Sequence, residues 1–169
     1  GGSTLGEDGV CIDKIIQRIS TKIESKNKVV AVFSAPLIRY RDKVSSMTDI
    51  AMHIGKNYAQ SNPIEIDVLR EVYENIASNS LSAEYYKKFS DEIKKFHKEV
   101  IISLKQAAEN RRFVDVTRSR TLAYSGEIPM SYLMDYILKS NDIKSDHTRI
   151  EQWPIITDDN FEAANFLIE

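Results

Sequence analysis

Three short stretches hold residue types suited to chemistry, each just ahead of a pattern with helical spacing. The first is Gly1-Gly2-Ser3-Thr4 at the head of the chain. Glycines let a backbone approach a phosphate, and free amides near a helix start attract anions. Gly-Gly-Ser is also the composition of a recombinant tag remnant, so these residues alone leave both readings open. The second stretch is Thr48-Asp49, at a helix start downstream of an apolar run. Ligands of open α/β sheets gather at the carboxyl ends of strands, although plain helix capping uses the same residue types. The third is Ser125-Gly126-Glu127. The helix dipole favours a carboxylate in a first turn, which again describes a cap. The glycine ahead of it permits close approach by a ligand, and the carboxylate suits a substrate ammonium group.

The elements that must position these residues follow from periodicity. In CIDKIIQRISTKIES, residues 11–25, Ile12, Ile15, Ile16, Ile19 and Ile23 form one apolar stripe, with Lys14, Arg18, Lys22 and Glu24 opposite. That pattern predicts an amphipathic helix with Cys11 as a buried thiol. VVAVFSA, residues 29–35, is apolar on both faces and predicts a central strand of a parallel sheet, which implies a further strand ahead of it. Residues 36–43 have no period and read as a loop. Ser45 or Ser46 with Asp49 predicts an N-cap for a helix running through IAMHIGKNYAQ, and Asn62-Pro63 marks a break. Further helices are expected over 64–77, 83–110 and 115–123, with one more starting near Gly126. In the 83–110 helix, Tyr86, Phe89, Ile93, Phe96, Val100 and Leu104 make a core stripe and the lysines a solvated face. HTRIEQWPIIT predicts one or two short strands, with Pro154 limiting their pairing, and the last twelve residues a short helical turn. The sum is α/β, strongly helical, with fewer strands than a complete sheet needs.

Composition narrows the classes. A chain of 169 residues fits one domain with a substantial core. Its net charge of -2 gives no footprint for nucleic acid. No apolar run approaches the roughly 18 residues that span a bilayer. No export leader is evident, and a single cysteine fits a reducing cytoplasm. His53, His97 and His147 are dispersed and have no cysteine cluster, which argues against a zinc site.

Taken in order, these stretches resemble the amino-acid kinase superfamily, and within it the amino-terminal half of the aspartokinase catalytic domain. In that family a first strand ends in Lys-Phe-Gly-Gly-Thr/Ser-Ser/Thr, matched here by Gly1, Gly2, Ser3 and Thr4. The family's strand ending in Ser-Ala corresponds to VVAVFSA, with Ser34 and Ala35 at its end. Its substrate-facing Thr before Asp or Asn matches Thr48-Asp49. Its Gly-Glu-x-x-Ser helix start matches Gly126, Glu127 and Ser131, and its Thr-x-Asp-x-Phe stretch matches Thr157, Asp159 and Phe161. The resemblance covers nearly all of the chain. Two departures stand out. PLIRYRDKVSSM replaces a shorter glycine-containing turn after Ser-Ala, and the family's catalytic lysine would fall two residues ahead of Gly1. No Thr-Thr-Leu-Gly-Arg-Gly-Gly segment occurs among the 169 residues.

The resemblance implies a partial three-layer α/β/α sandwich of the amino-acid kinase type. Residues 1–169 would be its aspartate-binding part, with the nucleotide-binding half and regulatory domains outside this chain. It implies ATP-dependent phosphorylation of the L-aspartate side-chain carboxylate to 4-phospho-L-aspartate, the first step towards lysine, threonine and methionine. Mg2+ would bridge the ATP phosphates, the intact enzyme would be a cytoplasmic homo-oligomer, and the isolated chain would be inactive. Gly1, Gly2 and Ser3 would contact the transferring phosphoryl group, while Thr48 and Glu127 would bind aspartate, Glu127 through its ammonium group. Ser34, Ser131 and Thr157 would be secondary site residues. Such chemistry needs in-line placement and charge stabilisation more than covalent help. Two other readings remain. One is a non-catalytic aspartate-binding or subunit-assembly module; the other is a relative in the same superfamily acting on a different acid.

Overall fold

A computed structural model of the chain describes residues 2–149 together with 152, 157, 158, 160, 164, 165 and 167. Its elements are α1 (Gly2–Leu5), α2 (Ile12–Glu24), β1 (Leu37–Tyr40), β2 (Lys43–Ser46), α3 (Met47–Ala59), α4 (Val68–Ser80), α5 (Ala83–Asn110), α6 (Asp115–Ser125) and α7 (Glu127–Ser140). The chain is therefore α/β and mostly helical, with one two-stranded antiparallel sheet among the described residues.

The long helix α5 organises the core, because α3, α4, α6 and α7 all pack on it. Its buried stripe is Phe89, Ile93, Phe96, Val100, Leu104 and Ala107, at the three- and four-residue spacing that brings side chains onto one helix face. Tyr86, expected on this stripe, is exposed; the adjoining Tyr85 makes the aromatic contact instead, its ring 5.8 Å from that of Tyr136. The lysines of the opposite face are solvated as expected, Lys88 pairing with Glu84 one turn away. Helix α7 is apolar nearly all round, and Met130, Leu133, Met134 and Ile137 are essentially inaccessible. Such a helix has to be enclosed by its neighbours, and α4, α5 and α6 enclose it. In α2, Ile12, Ile16 and Ile19 are buried, Ile15 is half-buried and Ile23 stands out to solvent; Cys11 just ahead is only half-buried.

The amino-terminal turn is tied to the middle of the chain. Asp8 N–H donates to the Leu37 carbonyl at 2.8 Å, beside a single parallel bridge between Glu7 and Leu37. The Arg39 guanidinium grips the Glu7 carboxylate through two bonds of 2.7 and 3.1 Å, the geometry that suits a planar fork.

Two expectations for the middle of the chain are corrected. Residues 36–43, read as a loop, begin a β-hairpin in which Leu37 faces Ser46 and Tyr40 faces Lys43. Its two-residue turn puts both Arg41 and Asp42 at positive φ, 48° and 61°, the left-handed geometry that matches the twist of the flanking strands. VVAVFSA, expected as a buried central strand, forms no strand at all. Val30 and Val32 are 92% and 84% exposed. A parallel strand exists only through its neighbours' hydrogen bonds, and no described segment lies alongside to supply them. The strands expected in HTRIEQWPIIT and the terminal helical turn fall largely outside the described residues.

Candidate functional site

The amino-terminal glycine turn, the end of VVAVFSA and the starts of α3 and α7 meet at Ala35–Pro36. A Cβ on Gly2 would sit 2.5 Å from the Ala35 carbonyl oxygen, and one on Gly126 would sit 3.4 Å from the Ala35 Cβ. Only a hydrogen fits at Gly2 without displacing backbone, so α1 lies directly against the end of the apolar run. From the other direction, Met47 N–H at the start of α3 donates to the Pro36 carbonyl at 3.2 Å. Three of the stretches singled out by residue type, separated by up to 124 positions in sequence, are thus brought to one pair of residues.

Each stretch is held by identifiable contacts. Ser46 caps α3: its Oγ accepts from Asp49 N–H at 3.0 Å and donates to the Asp49 carboxylate at 2.7 Å. Asp49 is therefore occupied by the cap, and Thr48 beside it is exposed with its side chain outside that bond pair. The helix start at Gly126 is fixed from below. Tyr73, fully buried on α4, directs its hydroxyl to the Ser125 and Gly126 carbonyl oxygens, both at 2.8 Å. Burial, and then the negative charge of Glu127, push the Tyr73 hydroxyl pKa well above its usual value. Glu127, the next residue along the chain, is exposed at this junction.

A groove of about 780 Å³ opens beside Glu127, lined also by Ser131, Asp135 and His147 and walled by Val29–Phe33. Ser131 follows Glu127 by one helical turn. Its Oγ donates to the Ile128 carbonyl at 2.9 Å and lies 3.2 Å from His147 Nε2. With its one proton given to Ile128, the hydroxyl is left to accept from His147 in the tautomer protonated on Nε2. That is the wrong direction for a base activating a serine, and Ser131 serves as a groove-lining acceptor. Asp135, 9% exposed, is balanced by Lys139 Nζ and Ser145 Oγ, each at 2.6 Å, and pins residues 141–147 along α7. A second groove of about 310 Å³ shares the Val29–Phe33 wall and is lined also by Thr4, Ser34, Arg18 and Lys22.

The sequence-derived site residues divide accordingly. Gly2, Ser34, Thr48 and Glu127 belong to the elements that meet at Ala35–Pro36, and Ser131 lines the groove next to Glu127. Ser3 is exposed on α1. Gly1, Asp159 and Phe161 lie outside the described residues. Thr157 is exposed, and no hydrogen bond among the described residues links it to this cluster. Tyr73 is not singled out by the sequence, and His147 enters there only as one of three dispersed histidines. The apolar spacing of EVYENIA could have flagged Tyr73, since a tyrosine on a buried stripe needs a partner for its hydroxyl.

No cluster of three or more His, Cys, Asp or Glu side chains arranged to hold a metal ion occurs among the described residues. Nor is any described helix long and apolar enough to cross a membrane. Comparison with protein-family models, with curated proteins and with solved structures yields no match.

Proposed function

We propose that this chain is the aspartate-binding part of an amino-acid kinase domain of the aspartokinase type, a three-layer α/β/α sandwich in the whole cytoplasmic enzyme. The observation that carries this reading is the convergence of Gly2, Ser34-Ala35, Thr48 and Gly126-Glu127 on Ala35–Pro36. Sequence resemblance alone does not require these separated stretches to meet, whereas a shared substrate does. In this reading Glu127 binds the ammonium group of L-aspartate, and Thr48 hydrogen-bonds the substrate across the junction. Gly2 and Ser3 offer backbone amides to the phosphoryl group as negative charge moves onto it. Ser131 extends the polar wall one turn further. The donors around the smaller groove, two hydroxyls and two cations, suit phosphate oxygens. ATP brings the phosphoryl group, and magnesium would ride on its phosphates rather than on a protein carboxylate cluster.

Titration with L-aspartate, followed through backbone amide resonances, tests the reading. Shifts are expected at residues 34–36, 47–49 and 126–131, and Glu127→Gln should weaken binding by about ten- to a hundredfold, the worth of a hydrogen bond to a charged group. In an intact kinase, Glu127→Ala should raise the aspartate KM far more than the ATP KM. Aspartate saturation that ignores the loss of Glu127 overturns the assignment. The reading of the chain as an assembly module is favoured by a different observation, the exposed Val29–Val32 run.

A further inference from the structure

The two grooves share Ile19 and the Val29–Phe33 wall, yet they carry opposite charge. The larger holds the carboxylates of Glu127, Asp135 and Asp146 beside Lys144. The smaller is lined by Arg18 and Lys22 and by no carboxylate. These two cations stand one turn apart on α2, the spacing that puts both side chains on one helix face. Neither enters an ion pair among the described residues, unlike Lys88 and Lys95 of α5, which each pair with a glutamate a turn away. Residues 12–28 hold five cations against two carboxylates in a chain of net charge -2, so this charge is not cancelled locally. The hydroxyls of Thr4 and Ser34 line the same groove and make no hydrogen bond to another described residue. Two free cations and two free hydroxyls therefore share one small concave space.

We propose that Arg18 and Lys22 clamp a phosphate dianion in the smaller groove, with Thr4 and Ser34 as neutral donors. Two cations match the double charge that a phosphate group approaches at neutral pH, and the planar guanidinium fork suits two of its oxygens at once. A carboxylate brings one charge and leaves one cation unmatched. The apolar wall strengthens the preference, because a cleft of one sign with low-dielectric sides focuses its field. A volume of about 310 Å³ lies at the low end of small-molecule sites, enough for a free phosphate or for the phosphate end of a larger ester. The clamp rests on the reading given above for its place in a reaction, where it adds full positive charge to the amides of Gly2 and Ser3. In that setting the opposite polarity of the grooves sorts the reactants, the ammonium of aspartate to the carboxylates and the phosphate to α2.

Calorimetric titration of the 169-residue chain with inorganic phosphate and, separately, with ATP tests the clamp, at one fixed ionic strength throughout. Saturable binding is expected, with amide resonances shifting at residues 4, 18–22 and 34 and not at 126–131. ATP binding at least about tenfold tighter than phosphate names a nucleotide as the source of the group; equal affinities name the free anion. Arg18→Gln and Lys22→Gln should each weaken binding by about three- to tenfold, and the double variant should abolish it. Both side chains are exposed, so thermal unfolding without ligand should not change. Lys14 stands one turn ahead of Arg18 but does not line the groove, and Lys14→Gln should leave affinity within about twofold of wild type. Three results overturn the proposal: no saturable binding of either anion, a loss with Lys14→Gln as large as with Lys22→Gln, or acetate competing as well as phosphate. A parallel titration with L-aspartate separates this inference from the reading it extends. Phosphate binding by a chain that ignores aspartate upholds the clamp and overturns the aspartate reading, and aspartate binding without phosphate binding does the reverse.

Discussion

The hydroxyl of Tyr73 reaches across from α4 and donates to the backbone carbonyls of Ser125 and Gly126 at the α6–α7 junction. Those carbonyls belong to the turn between two helices, where Gly126 adopts φ -120° and ψ -99° and neither helix ladder fully provides for them. One buried phenol therefore fixes the direction in which α7 starts, and with it the position of Glu127.

Replacing Tyr73 by Phe keeps the ring and strips the donor. The Ser125 carbonyl, whose helical partner position is the amide-less Pro129, then lacks a donor in a dry environment, while Gly126 still accepts from Met130 N–H at 3.3 Å; the cost is about 1–3 kcal/mol. For a chain of this size each kcal/mol moves Tm by about 2–4 °C. Thermal unfolding should register that loss, and amide exchange should rise at 125–128 before it rises in α5. Unchanged exchange at the junction means that something else holds it.

Gly55 shows a different kind of constraint. A Cβ there would lie 2.2–2.3 Å from three ring carbons of Phe113, so the ring of the residue between α5 and α6 sits on the bare backbone of α3. On helix propensity alone, Gly55→Ala should gain about 1 kcal/mol. Overpacking a well-filled core costs about 1–3 kcal/mol, so the clash wins and a net loss of about 1–2 kcal/mol is expected. Adding Phe113→Leu to Gly55→Ala should recover part of that loss, because the smaller side chain vacates the space. If Gly55→Ala raises Tm, the ring does not pack as described.

The legibility of this fold varies with the range of the interactions that make it. The helix over 83–110 is fixed by its own apolar stripe and matches α5 end to end, and a cap by Ser45 or Ser46 with Asp49 is legible locally, Ser46 being the one that caps. The hairpin over 37–46 was missed because its turn, Arg41-Asp42, contains neither glycine nor asparagine, the usual signals of left-handed backbone. VVAVFSA was misread for the opposite reason. Its residue types state a preference for a sheet, but a ladder depends on a neighbour, which the preference cannot supply. In the site, the residue types of Thr48 and Glu127 stood out, whereas Tyr73 did not, since its role arises only when α4 packs beneath the α6–α7 junction.

His97 makes stability depend on pH. It lies on α5 with its Nε2 3.4 Å from the Asp67 carboxylate, while Nδ1 is buried without a partner. Arg70 pairs with both Asp67 and Glu74 at the same place. Burial and then the Arg70 charge lower the His97 pKa, outweighing the pull of Asp67 and Glu74 in the other direction. In the unfolded chain the imidazole takes up a proton near pH 6.5. Below that point the unfolded state binds a proton that the folded state refuses, so stability falls as pH falls, down to the folded-state pKa. The contribution is fully present above about pH 6.5, and within the window the slope approaches about 1.4 kcal/mol per pH unit. His97→Gln keeps a donor for Asp67 and removes the titration. Between about pH 7.5 and 5.5, Tm should therefore drop more for the wild-type chain than for His97→Gln, with His53 and His147 contributing equally to both. Parallel curves for the two proteins would show that the buried imidazole is protonated as easily in the fold as outside it.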